Sequence, residues 1–321
     1  MRAALLLTWM TFALPASAEV FSLVPPIDCT LGQDCFIQQY MDHDPGADAS
    51  DFTCNGLSYD THSGTDFALP TLAAMQAGVA VIAAAPGRVT ALRDGMPDTG
   101  LTPETAAQIE GRDCGNGVVI QHQDGWQTQY CHLKQGSVAV REGQQVAAGD
   151  RLGLVGLSGN TEFPHVHLSL RRDGQAVDPF DPDGQITCGA PDPVTLWTAP
   201  LVYEPGALLA AGFATAIPDY AAIKAGTAAV EMISRDAAAL VFWGYAFGGR
   251  QGDALQITIT GPGGTITDHR EVLEKNQAQF FRAAGRRMPQ GGWPTGAYRG
   301  TVTLMRADQA ISTRQLDMRV E

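Results

Sequence analysis

Short runs of alternating apolar and polar residues, punctuated by glycine, fill the chain from Leu57 to about Arg172. That period belongs to half-buried strands rather than to helices. The segments VAVIAAAPGRVTAL (79–92) and GQQVAAGDRLGLVG (143–156) resemble each other, each running valine, two alanines, glycine and then an aliphatic residue. They read as repeated strand–turn–strand units of a curled antiparallel sheet. GVVIQHQDGWQTQYCHL (117–133) reads as a hairpin that turns at Asp124-Gly125. Residues 94–113 break the rhythm and are expected to form a loop insertion near the open face, with Thr102-Pro103-Glu104 able to start a short helix.

The flanks differ. Residues 19–56 hold turn formers and polar residues, with a short possible helix at Phe36–Met41, and are expected to wrap onto the first domain. After Cys188 the sequence GAPDPVTLWTAP is proline-spaced and reads as a linker. Beyond it ALQITIT (254–260), YRGTVTLMR (298–306) and RQLDMRV (314–320) alternate again. A tail of about 130 residues of such strands suggests an immunoglobulin-like β-sandwich. The predicted fold class is all-β, with residues 19–56 as an extension, 57–190 as the first folded domain and 191–321 as the second.

Composition narrows the possibilities. Hydrophobic residues at 45% and charged residues at 17% suit a chain that buries cores. Glycine, 36 of 321 residues, supports many tight turns. With 21 basic and 34 acidic side chains the net charge is −13, and no basic run occurs. This argues against nucleic-acid binding through phosphates and against docking on an anionic membrane.

Residues 1–18, MRAALLLTWMTFALPASA, place one Arg before an apolar stretch from Ala3 to Leu14 and end in Ala16-Ser17-Ala18. This is the pattern of a secretory signal cleaved before Glu19. The apolar run falls short of the roughly 20 residues needed to span a bilayer, and no later stretch is long enough. Removal of the segment leaves 20 basic against 34 acidic side chains, a net charge of −14. A mature chain so acidic is expected in the periplasm rather than on a thick acidic wall. Six cysteines in an exported chain read as disulfides. They allow 15 pairings. Cys29–Cys35 would close the short loop CTLGQDC, Cys114–Cys131 would tie the arms of the hairpin, and Cys54–Cys188 would follow by elimination. In simple hairpin register Cys114 lies beyond the residue opposite Cys131, so the chain must bend at Gly115-Asn116-Gly117.

Histidines carry the candidate chemistry. In His62-Ser-Gly-Thr-Asp66 a loop entering a strand can bring an imidazole and a carboxylate together, both suitable ligands for zinc. Taken alone the pair is a weak signal. In Pro164-His165-Val166-His167-Leu168-Ser169-Leu170, alternation sends Val166, Leu168 and Leu170 to the core and His165, His167 and Ser169 to the other face. Residues two apart on one face lie about 7 Å from each other, so one can bind a metal while its neighbour reaches a water on it. A strand with a polar solvent face is the competing explanation. His132, in Tyr130-Cys131-His132-Leu133, ends the hairpin, and alternation would place Tyr130 and His132 on the same face. His269 reads as a surface residue.

Taken together these residues resemble the lysostaphin/LytM-type zinc endopeptidases that cut peptidoglycan peptides. The resemblance rests on His62-x-x-x-Asp66, Gly115-Asn116, Tyr130-x-His132-Leu133, the glycines at 143, 149, 153 and 156, Ser158-Gly159-Asn160, and His165-x-His167. It covers roughly residues 57–172, and Val166 stands where the family usually has leucine. It implies a LytM-type antiparallel sheet curved around a groove, with His62, Asp66 and His167 holding zinc and His132 and His165 flanking its open position. Tyr59, Asn116 and Tyr130 are weaker candidates for substrate contact or support of the site, and His122 for structural support. The resemblance further implies hydrolysis of peptidoglycan stem-peptide cross-links. The extension, the 94–113 insertion, the cysteines and the C-terminal domain depart from the family pattern.

Three other readings compete, of which a chaperone-like or adhesive β-sandwich protein with the histidines as bystanders would require five coincidences. A catalytically inactive LytM-like protein could bind the cell wall or activate another hydrolase, although such relatives typically lack zinc ligands that are present here. A biotinyl- or lipoyl-type carrier needs a lysine at a hairpin tip. The only lysine in 57–172 is Lys134, beside His132-Leu133, without that setting.

Overall fold

The computed structural model describes residues 21–189 and 193–321; the signal segment 1–18 lies outside them. In the first half, β1 (Phe36–Gln39), β2 (Thr65–Ala68), α1 (Leu72–Ala77), β3 (Ala80–Ile82) and β4 (Gly87–Arg93) precede α2 (Ala106–Ile109). There follow β5 (Asn116–Gln121), β6 (Trp126–Leu133), β7 (Gln145–Val146), β8 (Arg151–Leu154), β9 (His165–Arg172) and β10 (Gln175–Ala176). The main sheet has the order β1-β2-β9-β6-β5-β4-β7, with β10 paired to β9, and every pairing is antiparallel.

The two similar segments of the sequence pair with each other, β3 with β8 and β4 with β7. The hairpin β5–β6 turns at Asp124 and Gly125, both at positive φ, as a tight hairpin turn requires. The 94–113 insertion does carry a short helix, α2, following Thr105. Phe36–Met41 is not helical: β1 occupies it. Phe36 pairs with Ala68 and Ile37 with Phe67, and both apolar side chains are buried. A run this short carries no decisive period, and an open sheet edge outweighed local helix preference.

The extension is built into the core through Leu23, Ile27, Tyr40 and Phe52. The segment after Cys188 is also anchored, because Trp197 is buried and bridges Leu23. Disulfides join Cys29–Cys35, Cys54–Cys188 and Cys114–Cys131.

In the second half, β11 (Ala207–Ala214), α3 (Tyr220–Ala225), β12 (Ala239–Gly249), β13 (Ala254–Gly261), β14 (Gly264–Val272), β15 (Gln277–Arg287), β16 (Gly296–Arg306) and β17 (Gln309–Val320) follow. They form a three-stranded sheet, β11-β12-β15, and a four-stranded sheet, β14-β13-β16-β17. Leu240 and Phe242 of the first meet Leu255, Ile257, Val302 and Leu304 of the second in one apolar cluster, consistent with a β-sandwich. The opposite face of β12, Val241, Trp243, Tyr245 and Phe247, joins the cluster of the first half, where Phe247 packs on Phe36. Burial on both faces explains why ALVFWGYAFGG is continuously apolar rather than alternating. Among the described residues no helix is long and apolar enough to cross a membrane.

Candidate metal centre

Strand pairing assembles the centre. β2 lies beside β9 with Asp66 opposite His167 and Ala68 opposite His165. Along β9 the side chains alternate as the sequence predicts: Val166, Leu168 and Leu170 are in the core, and His167 Nε2 lies 2.9 Å from Ser169 Oγ on the other face. His62 arrives from a loop held by the extension. Thr61 N donates to Asp42 Oδ2 at 2.9 Å, Asp42 N donates to His62 O at 2.8 Å, and His62 Nδ1 donates to Tyr40 O at 2.6 Å. A carbonyl only accepts, so Nδ1 carries a proton, and in the neutral ring Nε2 is the nitrogen that offers a lone pair. Tyr40 and Asp42 are functional supports that sequence reasoning missed. Their partners are 22 and 19 residues away, and no local pattern marks them.

Asp66 Oδ1 lies 3.2 Å from His62 Nε2 and 2.8 Å from His167 Nδ1, and those nitrogens are 3.1 Å apart. A single proton can bridge only one edge of this triangle. A cation satisfies all three atoms at once. Tetrahedral ligands at about 2.0–2.1 Å from a metal lie roughly 3.3 Å from one another, so these edges are within tenths of an ångström of a coordination face. Burial would raise the Asp66 carboxyl, but His62, His165 and His167 outweigh it and hold the group well below its ordinary range. It is a permanent anion beneath the groove.

The groove encloses about 270 Å³ and is lined by Tyr59, His62, His132, His167, Ser169 and Arg171 among others. His165 Nε2 lies 3.4 Å from Asp66 Oδ1, and its Nδ1 donates to Phe163 O at 3.0 Å. His132 Nδ1 donates to Ser158 O at 2.8 Å, and the His132 and His165 rings are 4.6 Å apart. Burial, together with His165 and His167, keeps His132 well below its usual pKa, so it is neutral at pH 7. Two imidazoles thus stand beside the triangle with Nδ1 tied to a carbonyl, and His165 Nε2 faces the Asp66 carboxylate.

The sequence model of peptidase family M23 matches residues 60–179, the span that contains all five of these side chains. Residues 60–179 thus match the peptidase family M23 pattern. The chain is 33% identical across 117 residues to peptidoglycan DD-endopeptidase ShyA of Vibrio cholerae, covering 36% of this chain and 22% of that protein. It is 34% identical across 120 residues to DD-carboxypeptidase/endopeptidase Mpg of Neisseria meningitidis, covering 37% and 22%. It is 41% identical across 71 residues to cell division protein DipM of Caulobacter vibrioides, covering 21% and 11%. The chain therefore spans between a tenth and a quarter of the length of these relatives. Among solved structures, the catalytic domain of the prophage-encoded M23 protein EnpA from Enterococcus faecalis aligns with 55% of this chain and 97% of its own, at 24% identity and a TM-score of 0.31.

The weaker candidates divide. Tyr59, 53% exposed, stacks on the His62 ring at 4.4 Å and stands at the rim of the M23 groove. Tyr130 does not reach the groove. Its phenol is fully buried, accepts from Ala84 N at 2.7 Å and accepts from Thr128 Oγ1 at 3.1 Å. Tyr130 and His132 face opposite ways because His132 has a left-handed backbone, φ 63°, which breaks the alternation. Asn116 is also buried away from the groove. Its Oδ1 accepts from Gly95 N and Met96 N, and its Nδ2 donates to Met96 O and Leu133 O, so it pins the base of the insertion. His122 holds Pro86 O and Thr128 Oγ1, a structural role.

Gly64 has a role that the sequence reading missed. A Cβ on Gly64 would lie 2.6 Å from His167 Nε2 and 2.5 Å from Leu168 O. The loop from His62 to Asp66 can cross β9 only if that position has no side chain. The signal was present in the sequence as the glycine between the two candidate ligands.

Proposed function

We propose that this protein is an exported zinc metalloendopeptidase that hydrolyses peptide cross-links of peptidoglycan, with His62, Asp66 and His167 as zinc ligands. The observation that carries this reading is the triangle of two ring nitrogens and one carboxylate oxygen, with two further imidazoles beside it and a fourth direction open to the groove. Two neutral ligands and one anion leave a net charge near +1 on the ion. Zinc, when bound, supplies polarisation of the scissile carbonyl and lowers the pKa of a water from about 15.7 towards 7.

The chain's own residues do the rest. His132, neutral and fixed in one tautomer by Ser158 O, accepts the proton of the attacking water at Nε2. His165, oriented by Phe163 O, presents Nε2 beside the Asp66 carboxylate. In its protonated form it stabilises the developing oxyanion and passes a proton to the leaving amine. Tyr59 covers the His62 ring from solvent. The names of the endopeptidase relatives, the leader-like residues 1–18 and three disulfides support an exported enzyme acting on stem peptides, in the periplasm.

The deciding experiment incubates purified protein, with and without zinc and after chelation, with intact sacculi and cross-linked muropeptides. Zinc-dependent conversion of dimeric to monomeric muropeptides is expected. Wall binding without cleavage by zinc-loaded protein would instead identify a non-catalytic LytM-like wall binder or activator of another hydrolase. Similarity to a protein named for cell division keeps that second reading in view.

A further inference from the structure

The pleat of β6 conflicts with the position of its last histidine. Gln129 and Cys131 line the groove, whereas Thr128 and Tyr130 are fully buried and bonded to each other on the core side. Continued regularly, the same pleat would turn His132 to the core. It reaches the groove because its φ is 63°, a conformation unfavourable for a non-glycine residue that persists only where its surroundings impose it. Two links to residue 114 impose it here. The Cys114–Cys131 disulfide ties the residue immediately before His132, with the Cα atoms 4.7 Å apart, and His132 N donates to Cys114 O at 2.8 Å.

Residue 114 is in turn held from outside. Asn160 N donates to Asp113 O at 2.9 Å. Gly115 crosses so close beneath Ser158 that a Cβ would fall 2.3 Å from Ser158 O. The crossing segment then accepts the His132 Nδ1 proton through that same Ser158 carbonyl. The β5–β6 register is irregular at this point, between Asn116 and Val118, which is where the chain yields to make room.

We propose that the Cys114–Cys131 disulfide is a positioning device for the reaction: it locks β6 into the left-handed turn that delivers His132 Nε2 to the groove. The proposal rests on the reading of the groove as a peptidase site with His132 as its base. Neither cysteine is a metal ligand, although Cys131 lies opposite His167 in the sheet. Loss of the disulfide therefore leaves the metal in place and lets β6 return to its ordinary pleat, moving the His132 ring away from His165.

The test uses the full mature chain with Cys114→Ala and Cys131→Val, an apolar pair that keeps the buried volume, and a second variant with both cysteines changed to Ser. Two quantities are read in the zinc-loaded protein: the nuclear Overhauser contact between the His132 and His165 rings, and kcat and KM on cross-linked muropeptides, each also with His132→Ala added. The expected result is a lost ring contact, unchanged zinc content and KM, and a fall in kcat of at least about tenfold that His132→Ala does not deepen. A retained ring contact with undiminished kcat overturns the proposal. So does a kcat loss that multiplies with that of His132→Ala, because the disulfide would then act on the fold at large. If the wild-type protein cleaves nothing, the peptidase reading falls alone, and the ring contact still decides whether the disulfide positions His132.

Discussion

Replacing Gly64 by alanine tests the metal centre without touching a ligand. Gly64 is not among the glycines at positive φ, so alanine meets no backbone penalty and any effect is steric. The added Cβ would sit 2.5 Å from Leu168 O, 2.6 Å from His167 Nε2 and 2.7 Å from His167 Cε1. Opening the imidazole contact from 2.6 Å to an ordinary 3.4 Å separates the loop and the ring by 0.8 Å. Ligand positions in a metal site tolerate about 0.2 Å, so the shift is several times too large to absorb. It also disturbs the His167 Nε2 contact with Ser169 Oγ, 2.9 Å long, which holds the ring so that Nδ1 faces Asp66 Oδ1 and His62 Nε2. Loss of such a support weakens metal affinity roughly 10–100-fold. The crowding itself costs about 1–3 kcal/mol of stability. Competition with a chromogenic chelator reads the zinc affinity, and turnover at saturating zinc reads whether activity returns once the ion is forced in. A folded Gly64→Ala protein that holds zinc within about twofold of wild type would refute both the assignment of His167 as ligand and the reason for the glycine.

Other outcomes follow from the same geometry. His62→Ala and Asp66→Ala should each lose zinc and turnover together, whereas His165→Ala should keep zinc, by elemental analysis, while kcat falls about 10²–10⁴-fold; undiminished turnover removes His165 from the mechanism. Burial lowers the pKa of His43, but Asp178, bonded at 2.7 Å, with Asp181 and Asp42 outweighs this and raises it above its ordinary value. The stabilisation from its charged form is thus complete below the unfolded-state pKa of about 6.5 and fades as pH rises through the raised folded value. Melting curves should show wild type losing more stability than His43→Gln from mildly acid to alkaline pH, and parallel curves would contradict the pairing. Cys54–Cys188 closes a loop with a sequence separation of 134. Removing it by a pair of serines should cost up to about 5 kcal/mol on the chain-entropy account, measured by denaturant unfolding.

Much of the centre was legible because the required signals are local. The β9 pattern assigned its two faces before any fold was known, since a strand's side chains alternate whatever it pairs with. The hairpin turn is written in Asp124-Gly125, and Cys29–Cys35 is close enough in sequence to pair on its own evidence. The errors came where a second segment overrode the local pattern. Phe36–Gln39 became an edge strand because β2 offered it a partner. Tyr130 was expected beside His132, but strand alternation does not survive a residue at φ 63°. Asn116 carries its hydrogen bonds to a loop twenty residues upstream rather than to the groove.

The sequence by itself determined the strand-rich class, the two faces of β9 and the short Cys29–Cys35 loop, because period, turn chemistry and residue type act over a few positions. The set of five converging side chains was implied by the family resemblance rather than by any local pattern. The tertiary structure alone decided how those side chains face one another. Tyr40 and Asp42 aim His62, Ser158 fixes the His132 tautomer, and β12 joins the two apolar clusters by burying both faces. Each of these depends on a carbonyl, carboxylate or apolar surface brought back from a distant part of the chain. Which distant segment returns to a given place is fixed by the packing of the whole molecule and by no pattern within reach of the residue itself.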